Sequence, residues 1–247
     1  MNTKGRNPLL PPEVYIPDGE AHVFGQRLYV YGSRDVHPDT WCSEEYCVAS
    51  TEDMQNWKVS AKSFDSRDVP WADGSARKDY PVVDFDTRNP TAFFAASPLC
   101  SQPRAGDNAP ALLTTADTCA QEPGGVLPFL YAPDCMEKDG TYYLYFCMSD
   151  GTEGVARSDN PEGPFRAAVQ LPCAGIDPAV FTDTDGRSYY YWGQFRSSGV
   201  ELNDDMVSFD ETKAVHHLLT EEAHGFHEGS SMRKRNGIYY YVYPCIY

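Results

Sequence analysis

Apolar aromatic and branched residues recur along the chain in short runs, each preceded by a polar turn. The runs read LYVYG, TYYLYF, SYYYW and IYYYVY, and DG, NG or Gly-Gln pairs stand just ahead of them. Aromatic and branched residues favour strands, and such pairs favour tight turns between strands. The pattern therefore predicts four β-hairpins and indicates no helix.

The turn glycines of these hairpins repeat along the chain, at Gly25, Gly140, Gly186 and Gly237. The last three are 46 and 51 residues apart, a period that suits a four-stranded propeller blade and exceeds most helical repeats. The segments after the first three hairpins read EEYCVASTEDMQNWKVS, EGVARSDNPEGPFRAAV and GVELNDDMVSFDETKAV. Each is interpreted as two outer strands, so we predict an all-β propeller.

One segment, residues 75–125, interrupts the repeat. It is rich in Pro, Ala, Thr and Asp, lacks alternation of apolar and polar residues, and separates the first two turn glycines by 115 residues. We predict an inserted surface loop between blades; a lid over one end of the channel is the alternative.

An acid precedes each turn glycine by six to nine residues. These acids are Asp18, Asp134, Asp177 and Glu228. Because the innermost strand of every blade lines the central channel, acids at equivalent strand starts converge on its axis. Converging carboxylates are suited to general acid–base chemistry. The alternative, for Asp18 above all, is a turn cap that accepts backbone N–H groups.

The net charge of the chain limits the classes of partner that it could bind. The formal net charge of −16 disfavours nucleic acid and anionic membrane surfaces. The start MNTKGRNPLLPPEV lacks the apolar core of a signal peptide, and no apolar stretch is long enough to span a bilayer, which predicts a cytoplasmic protein.

The eight cysteines are scattered without CxxC spacing, and the histidines show no metal-ligand spacing. We expect reduced, mostly buried thiols, with Cys42 and Cys47 near each other across a loop, and no metal or cofactor.

The four hairpin segments resemble glycoside hydrolase family 43, five-bladed propellers that include arabinofuranosidases, xylosidases and arabinanases. The motifs are YIPDGEAHVFGQRLYVYGSRD, LYAPDCMEKDGTYYLYF, GIDPAVFTDTDGRSYYYWG and FHEGSSMRKRNGIYYYVY. The resemblance covers roughly residues 7–75 and 126–247. It implies one catalytic propeller domain over 7–247, truncated in the fourth of its five blades, with 75–125 inserted into it.

The resemblance also implies roles for three of the acids. Asp18 in IPDG matches the general base, Glu228 in HEGS the general acid, and Asp177 in GIDP the residue that tunes the acid. Inverting glycosidases hold acid and base carboxyls roughly 6.5 to 9.5 Å apart, with the attacking water between them. Like-charge repulsion from ionised Asp177 would keep the acid protonated. Asp134 in YAPD, where family members often carry WAPD, is expected to be structural.

Four further side chains are candidate contacts to a sugar: Tyr131, Trp71, Gln194 and His227. Tyr131 adjoins an inner-strand start, Gln194 offers an amide, and His227 precedes the expected acid. Trp41 and Trp192 are further aromatic candidates, and for all four aromatic residues a core position is the more common alternative.

These inferences predict an inverting hydrolase of arabinofuranosyl or xylosyl linkages in plant-derived oligosaccharides. A noncatalytic carbohydrate-binding propeller and an inactive fragment of such an enzyme are the alternatives. A fructan hydrolase or mannoside phosphorylase on the same fold is disfavoured by the order of the carboxylates and the few arginines near the motifs. The sequence leaves the choice between arabinose and xylose, and the oligomeric state, open.

Overall fold

A computed structural model describes residues 9–10, 14–34, 43–72, 85–86, 129–149 and 151–245. The predicted insertion at 75–125 lies outside these ranges except for residues 85–86. Trp41, Cys42 and His37 also lie outside them.

Antiparallel sheets make up almost all of the described chain. The first sheet has the order β1 (Glu20–Phe24), β2 (Arg27–Ser33), β3 (Glu45–Thr51), β4 (Lys58–Asp65) and β5 (Phe85–Asp86). The second has β6 (Asp134–Lys138), β7 (Thr141–Cys147), β8 (Thr152–Ser158) and β9 (Arg166–Ala174). The third has β10 (Ala179–Thr182), β11 (Ser188–Trp192), β12 (Arg196–Glu201) and β13 (Val215–Thr220), and β14 (Ser231–Arg235) pairs with β15 (Ile238–Val242).

Helical structure among the described residues is confined to short turns. These are the one-turn helix α1 (Glu221–His224) and 3₁₀ turns at Ser66–Asp68 and Glu211–Lys213. No helix in the described ranges has the length and apolar character needed to cross a membrane. The prediction of an all-β protein is confirmed, whereas five blades and a chain that ends inside the fourth stay predictions.

All four predicted hairpins form, as β1–β2, β6–β7, β10–β11 and β14–β15. In the second, Asp139 and Gly140 have φ angles of 52° and 81°, the pair of positive values that a type I′ turn requires. A Cβ at Gly140 would meet no heavy atom within 4 Å. Backbone conformation rather than space therefore selects glycine here.

Aromatic side chains fill the spaces between successive sheets. Phe64 of the first sheet lies 4.8 Å from Phe146 of the second, centroid to centroid, and Tyr145 lies 5.3 Å from Tyr190 of the third. Large rings bury much apolar area per residue, which drives the packing of sheet on sheet. The first strands of the sheets then lie side by side, β1 against β6, β6 against β10 and β10 against β14.

Asp134 ties three of these first strands together. It is buried, and its carboxylate accepts the backbone N–H groups of Cys135 and Val180, each at 2.6 Å. The ring nitrogen Nε2 of His22 in β1 lies 2.6 Å from the same carboxylate. Asp134 thus holds strand starts, which is the structural role expected for it.

The turn at Gly140 gives a direct test of the hairpin assignment. We expect Gly140→Ala to lower the free energy of unfolding by roughly 1–2 kcal/mol, because alanine adopts the left-handed region poorly. Gly140→Asn is the matched control and should lose less, since asparagine tolerates this region. Urea denaturation measures both; equal stability of the alanine variant and the wild type would contradict the assignment.

Candidate active site

A cavity of about 240 Å³ lies where the first strands of the four sheets begin. It is lined by Asp18, Gly19, Glu20, Ala132, Pro133, Asp177, Pro178, Glu228, Gly229, Ser230 and Pro244. Three carboxylates predicted to converge, those of Asp18, Asp177 and Glu228, therefore share this cavity although they precede β1, β10 and β14 respectively. We call these three side chains the acid cluster.

Two members of the acid cluster share an uncommon backbone conformation. Asp18 has a φ of 54° and Asp177 a φ of 55°, and each stands two residues before the first strand of its sheet. Residues other than glycine rarely adopt this left-handed region, and such strain gathers at functional sites. The repeated local geometry turns both carboxylates toward one cavity.

Burial and mutual repulsion shape the protonation of the acid cluster. Burial raises the pKa of Asp177 to about 8, and the charges of Glu228 and Asp18 add to this effect. Burial also raises the pKa of Asp18, with a further contribution from Glu228; the residue is exposed as a whole, but the cavity walls withdraw water from its carboxyl. The acid cluster therefore retains a proton at neutral pH. The enclosure that raises these pKa values arises only from packing between sheets.

Two predicted contact residues lie beside Glu228. The side-chain amide of Gln194 donates to Glu228 Oε2 at 2.6 Å. His227 Nε2 lies 3.9 Å from the same oxygen, and its Nδ1 lies 3.1 Å from Glu221 Oε1. Gln194 therefore orients the carboxyl that the sequence predicts as the acid, and His227 lies beside it, bonded to Glu221.

A second cavity, of about 390 Å³, lies next to the acid cluster. It is lined by Tyr131, Ser149, Gly151, Ala174, Gly175, Ile176, Trp192, Gly193, Gln194, Arg196 and Ser198. Gln194 links the two cavities, because it lines this one and bonds Glu228. Tyr131 and Trp192 are 9% and 5% exposed, so each lines this space while most of its surface is buried.

Trp71 is not among the residues that line either cavity. Its indole ring stacks on Phe146 at 6.0 Å, and its Nε1 donates to Thr152 Oγ1 at 3.0 Å. The ring packs between the first two sheets. This is the core position that the sequence analysis gives as the alternative to contact with a sugar. The acid cluster and Trp71 are therefore not brought together.

One group among the described residues has the donor set of a cation site. Ligand atoms of Glu20, His22 and Asp134 lie within 4.8 Å of one another. However, Glu20 Oε1 accepts hydrogen bonds from Arg233 and from Ser231. A cation would have to displace the Arg233 guanidinium, so the group fits an internal hydrogen-bond network and we derive no chemistry through a metal. The spacing of Glu20 and His22 on one face of β1 was the only sequence signal for it.

Sequence reasoning missed Glu153, a fully buried carboxyl beside the second cavity. Burial raises its pKa to about 8, so it is mostly protonated at neutral pH. The Tyr190 hydroxyl donates to Oε2, while Oε1 has no hydrogen-bond partner among the described residues. A Cβ at Gly175 would lie 2.7 Å from Oε1. No local motif marks Glu153, because its surroundings come from strands distant in the chain.

Known proteins resemble the chain over most of its length. The profile of Glycosyl hydrolases family 43 matches residues 108–247. A xylosidase/arabinosidase 43A of Humicola insolens is 34% identical over 187 residues, which are 73% of this chain and 44% of that protein. A beta-D-galactofuranosidase of Aspergillus niger is 28% identical over 256 residues, 98% of this chain and 59% of that protein. The chain thus spans about half the length of these relatives.

Solved structures resemble its fold. A GH43 beta-xylosidase/alpha-arabinofuranosidase from a compost microbial metagenome, in a calcium-free complex with xylotriose, matches with a TM-score of 0.66 at 24% identity, covering 97% of this chain and 73% of that one. A GH43_1 enzyme from Xanthomonas citri in complex with xylose matches with a TM-score of 0.62 at 23% identity, covering 94% and 68%. The likeness supports the propeller arrangement of the sheets.

The raised pKa of Asp177 predicts a stability gain on neutralisation. The pKa of Asp177 in the fold exceeds the ordinary value of 3.8, so the fold loses stability as pH rises from about 4 toward 8. The loss is about 1.4 kcal/mol for each unit by which the folded pKa exceeds the unfolded pKa. We expect Asp177→Asn to match the wild type at pH 4 and to exceed its free energy of unfolding by at least about 1 kcal/mol at pH 8. Urea denaturation across this range measures the difference.

Asp210→Asn is the matched control. Hydrogen bonds from Thr212 lower the pKa of Asp210, so its neutralisation should lower stability above pH 4 rather than raise it. An Asp177→Asn variant no more stable than the wild type at pH 8 would contradict the protonation assigned to the acid cluster.

Proposed function

The chain belongs to glycoside hydrolase family 43, and we propose that it hydrolyses arabinofuranosyl or xylosyl linkages of plant-derived oligosaccharides with inversion at the anomeric carbon. One observation carries the proposal: Asp18, Asp177 and Glu228 line a single cavity of about 240 Å³. Inverting hydrolysis needs one carboxyl as base and another as acid on opposite sides of the sugar. The names of relatives support pentose substrates, and one relative is named for galactofuranose.

Asp18 is the proposed general base. The residue lines the cavity and is exposed as a whole, so water reaches the cavity beside its partly buried carboxyl. Its ionised carboxylate takes a proton from that water as the water oxygen bonds to the anomeric carbon.

Glu228 is the proposed general acid. The Gln194 amide donates to Oε2, which leaves Oε1 as the oxygen that carries the proton toward the glycosidic oxygen. As the bond from the anomeric carbon to that oxygen breaks, Glu228 gives up the proton and the leaving group departs as an alcohol. Crowded carboxyls do not all ionise together, so the acid cluster retains a proton at neutral pH.

The second cavity is the proposed location for the rest of the oligosaccharide. It adjoins the acid cluster through Gln194 and offers Ser149, Ser198 and Arg196 as hydrogen-bonding groups. The net charge of −16 favours a neutral ligand over an anionic one. Neutral sugars bind through such hydroxyl and amide contacts at modest cost in desolvation.

Substrates with different leaving groups distinguish the proposed roles of Asp18 and Glu228. We expect Asp18→Asn to lower kcat roughly 10²–10⁴-fold on both p-nitrophenyl glycosides and oligosaccharides, since both need the base. Glu228→Gln should lower kcat severely on oligosaccharides and much less on p-nitrophenyl glycosides, because p-nitrophenolate leaves without a proton. The panel comprises α-L-arabinofuranosides, β-D-xylosides and β-D-galactofuranosides, assayed with the full-length protein.

Glu201→Gln is the control, since Glu201 is an exposed acid of β12 that neither cavity includes; it should leave kcat within about twofold. Sugar binding without turnover of any substrate in the panel would contradict the hydrolase and support a noncatalytic carbohydrate-binding protein.

A further inference from the structure

The peptide that joins Ile176 to Asp177 is held at both of its polar groups. Its C=O, on Ile176, accepts the N–H of Gly193 at 2.9 Å. Its N–H, on Asp177, donates to the sulfur of Cys147 at 3.2 Å. We propose that Cys147 is a positioning residue that, together with the Gly193 N–H, clamps this peptide and fixes the Asp177 carboxyl within the acid cluster. The proposal rests on the proposed function, in which the acid cluster performs the reaction.

The conformation of Asp177 explains why the peptide needs a clamp. A φ of 55° costs an aspartate roughly 1–3 kcal/mol and persists only where the surroundings enforce it. The β10 ladder begins two residues later, at Ala179, so pairing with β11 does not engage this peptide. A shielded N–H without an acceptor would add a further cost. The Cys147 sulfur supplies the acceptor.

Cys147 is itself rigidly held. It ends β7, has no exposed surface, and its backbone C=O accepts the N–H of Tyr131 at 3.0 Å. Its thiol donates to the C=O of Ala132 at 3.8 Å, and Ala132 lines the same cavity as Asp177. One sulfur atom therefore connects two walls of the cavity, one from the second sheet and one from the third.

The thiol stays protonated, as its donation to the Ala132 carbonyl requires. Burial raises the pKa of Cys147 well above its ordinary value, and the nearby charges of Asp177 and Glu153 add to the effect. A neutral thiol donates to one carbonyl and accepts from one N–H at once. A thiolate would lose the bond to Ala132.

Gly193 completes the other half of the clamp. Its φ of 124° is a value that glycine adopts readily and other residues rarely do, and a Cβ would lie 2.2 Å from the Arg196 carbonyl oxygen. Only glycine therefore brings this N–H to Ile176. The next residue, Gln194, bonds Glu228, so the clamp connects the positions of Asp177 and the proposed acid.

Substitution of the sulfur tests the proposal in the full-length protein. Cys147→Ala removes the acceptor, and Cys147→Ser keeps an oxygen acceptor that reaches less far toward the Asp177 N–H and serves if the alanine variant fails to fold. We expect the alanine variant to lower kcat on oligosaccharides roughly tenfold to hundredfold with KM changed less than about twofold, because misplaced catalytic groups cost rate more than binding. The serine variant should lie between it and the wild type.

Cys47→Ala is the matched control, since Cys47 is also buried and its thiol donates to backbone carbonyls, those of Gly32 and Ser33. It should lose stability without loss of kcat. Amide hydrogen exchange provides a readout independent of activity: the N–H groups of Asp177 and Gly193 should exchange at least about tenfold faster in the Cys147 variants and not in the control.

The two readouts separate the two proposals. Wild-type kcat and wild-type amide protection in both Cys147 variants would overturn the clamp and leave the hydrolase intact. A wild type that cleaves no glycoside, with fast amide exchange at Asp177 in the Cys147 variants, would overturn the hydrolase and leave the clamp.

Discussion

The enclosure of three carboxylates in one cavity is the constraint on which the site depends. Asp18, Asp177 and Glu228 come from three sheets, and each would separate from the others if its strand were free. Because burial, and after it the charges of Glu228 and Asp18, raise the pKa of Asp177 to about 8, the cavity keeps a proton at a pH where isolated carboxyls have none. The chemistry proposed for the protein uses that retained proton, so the scaffold must resist the repulsion.

Contacts between sheets supply this resistance. Asp134 joins β1, β6 and β10 through His22 and the N–H of Val180. Arg233 of β14 bonds Glu20 and the backbone of β1, so a cation lies next to the acid-rich strand starts. These bonds and the aromatic packing between sheets hold the left-handed backbone at Asp18 and Asp177, strain of roughly 1–3 kcal/mol each. The contacts between sheets therefore offset the stability that the protein loses at the acid cluster.

Local patterns predicted the hairpins and the convergence of the acids, because turn glycines and strand propensity act within a few residues. The repeat then placed Asp18, Asp177 and Glu228 at equivalent strand starts. Sequence did not predict how far burial raises the pKa of Asp177, the bond from Gln194 to Glu228, or the parts played by Glu153 and Cys147. Each of these depends on which side chains meet between sheets, and residues such as Cys147 and Asp177 meet across blades without any motif to join them.

The anomeric configuration of the first-formed sugar tests the central claim most directly. If Asp18 and Glu228 act as base and acid around one water, each turnover inverts the anomeric carbon. Proton NMR during the first turnovers, before mutarotation, records that configuration for whichever glycoside the full-length protein cleaves best. The account predicts a product of opposite configuration to the substrate. A product of retained configuration would require a nucleophilic carboxylate and would contradict it.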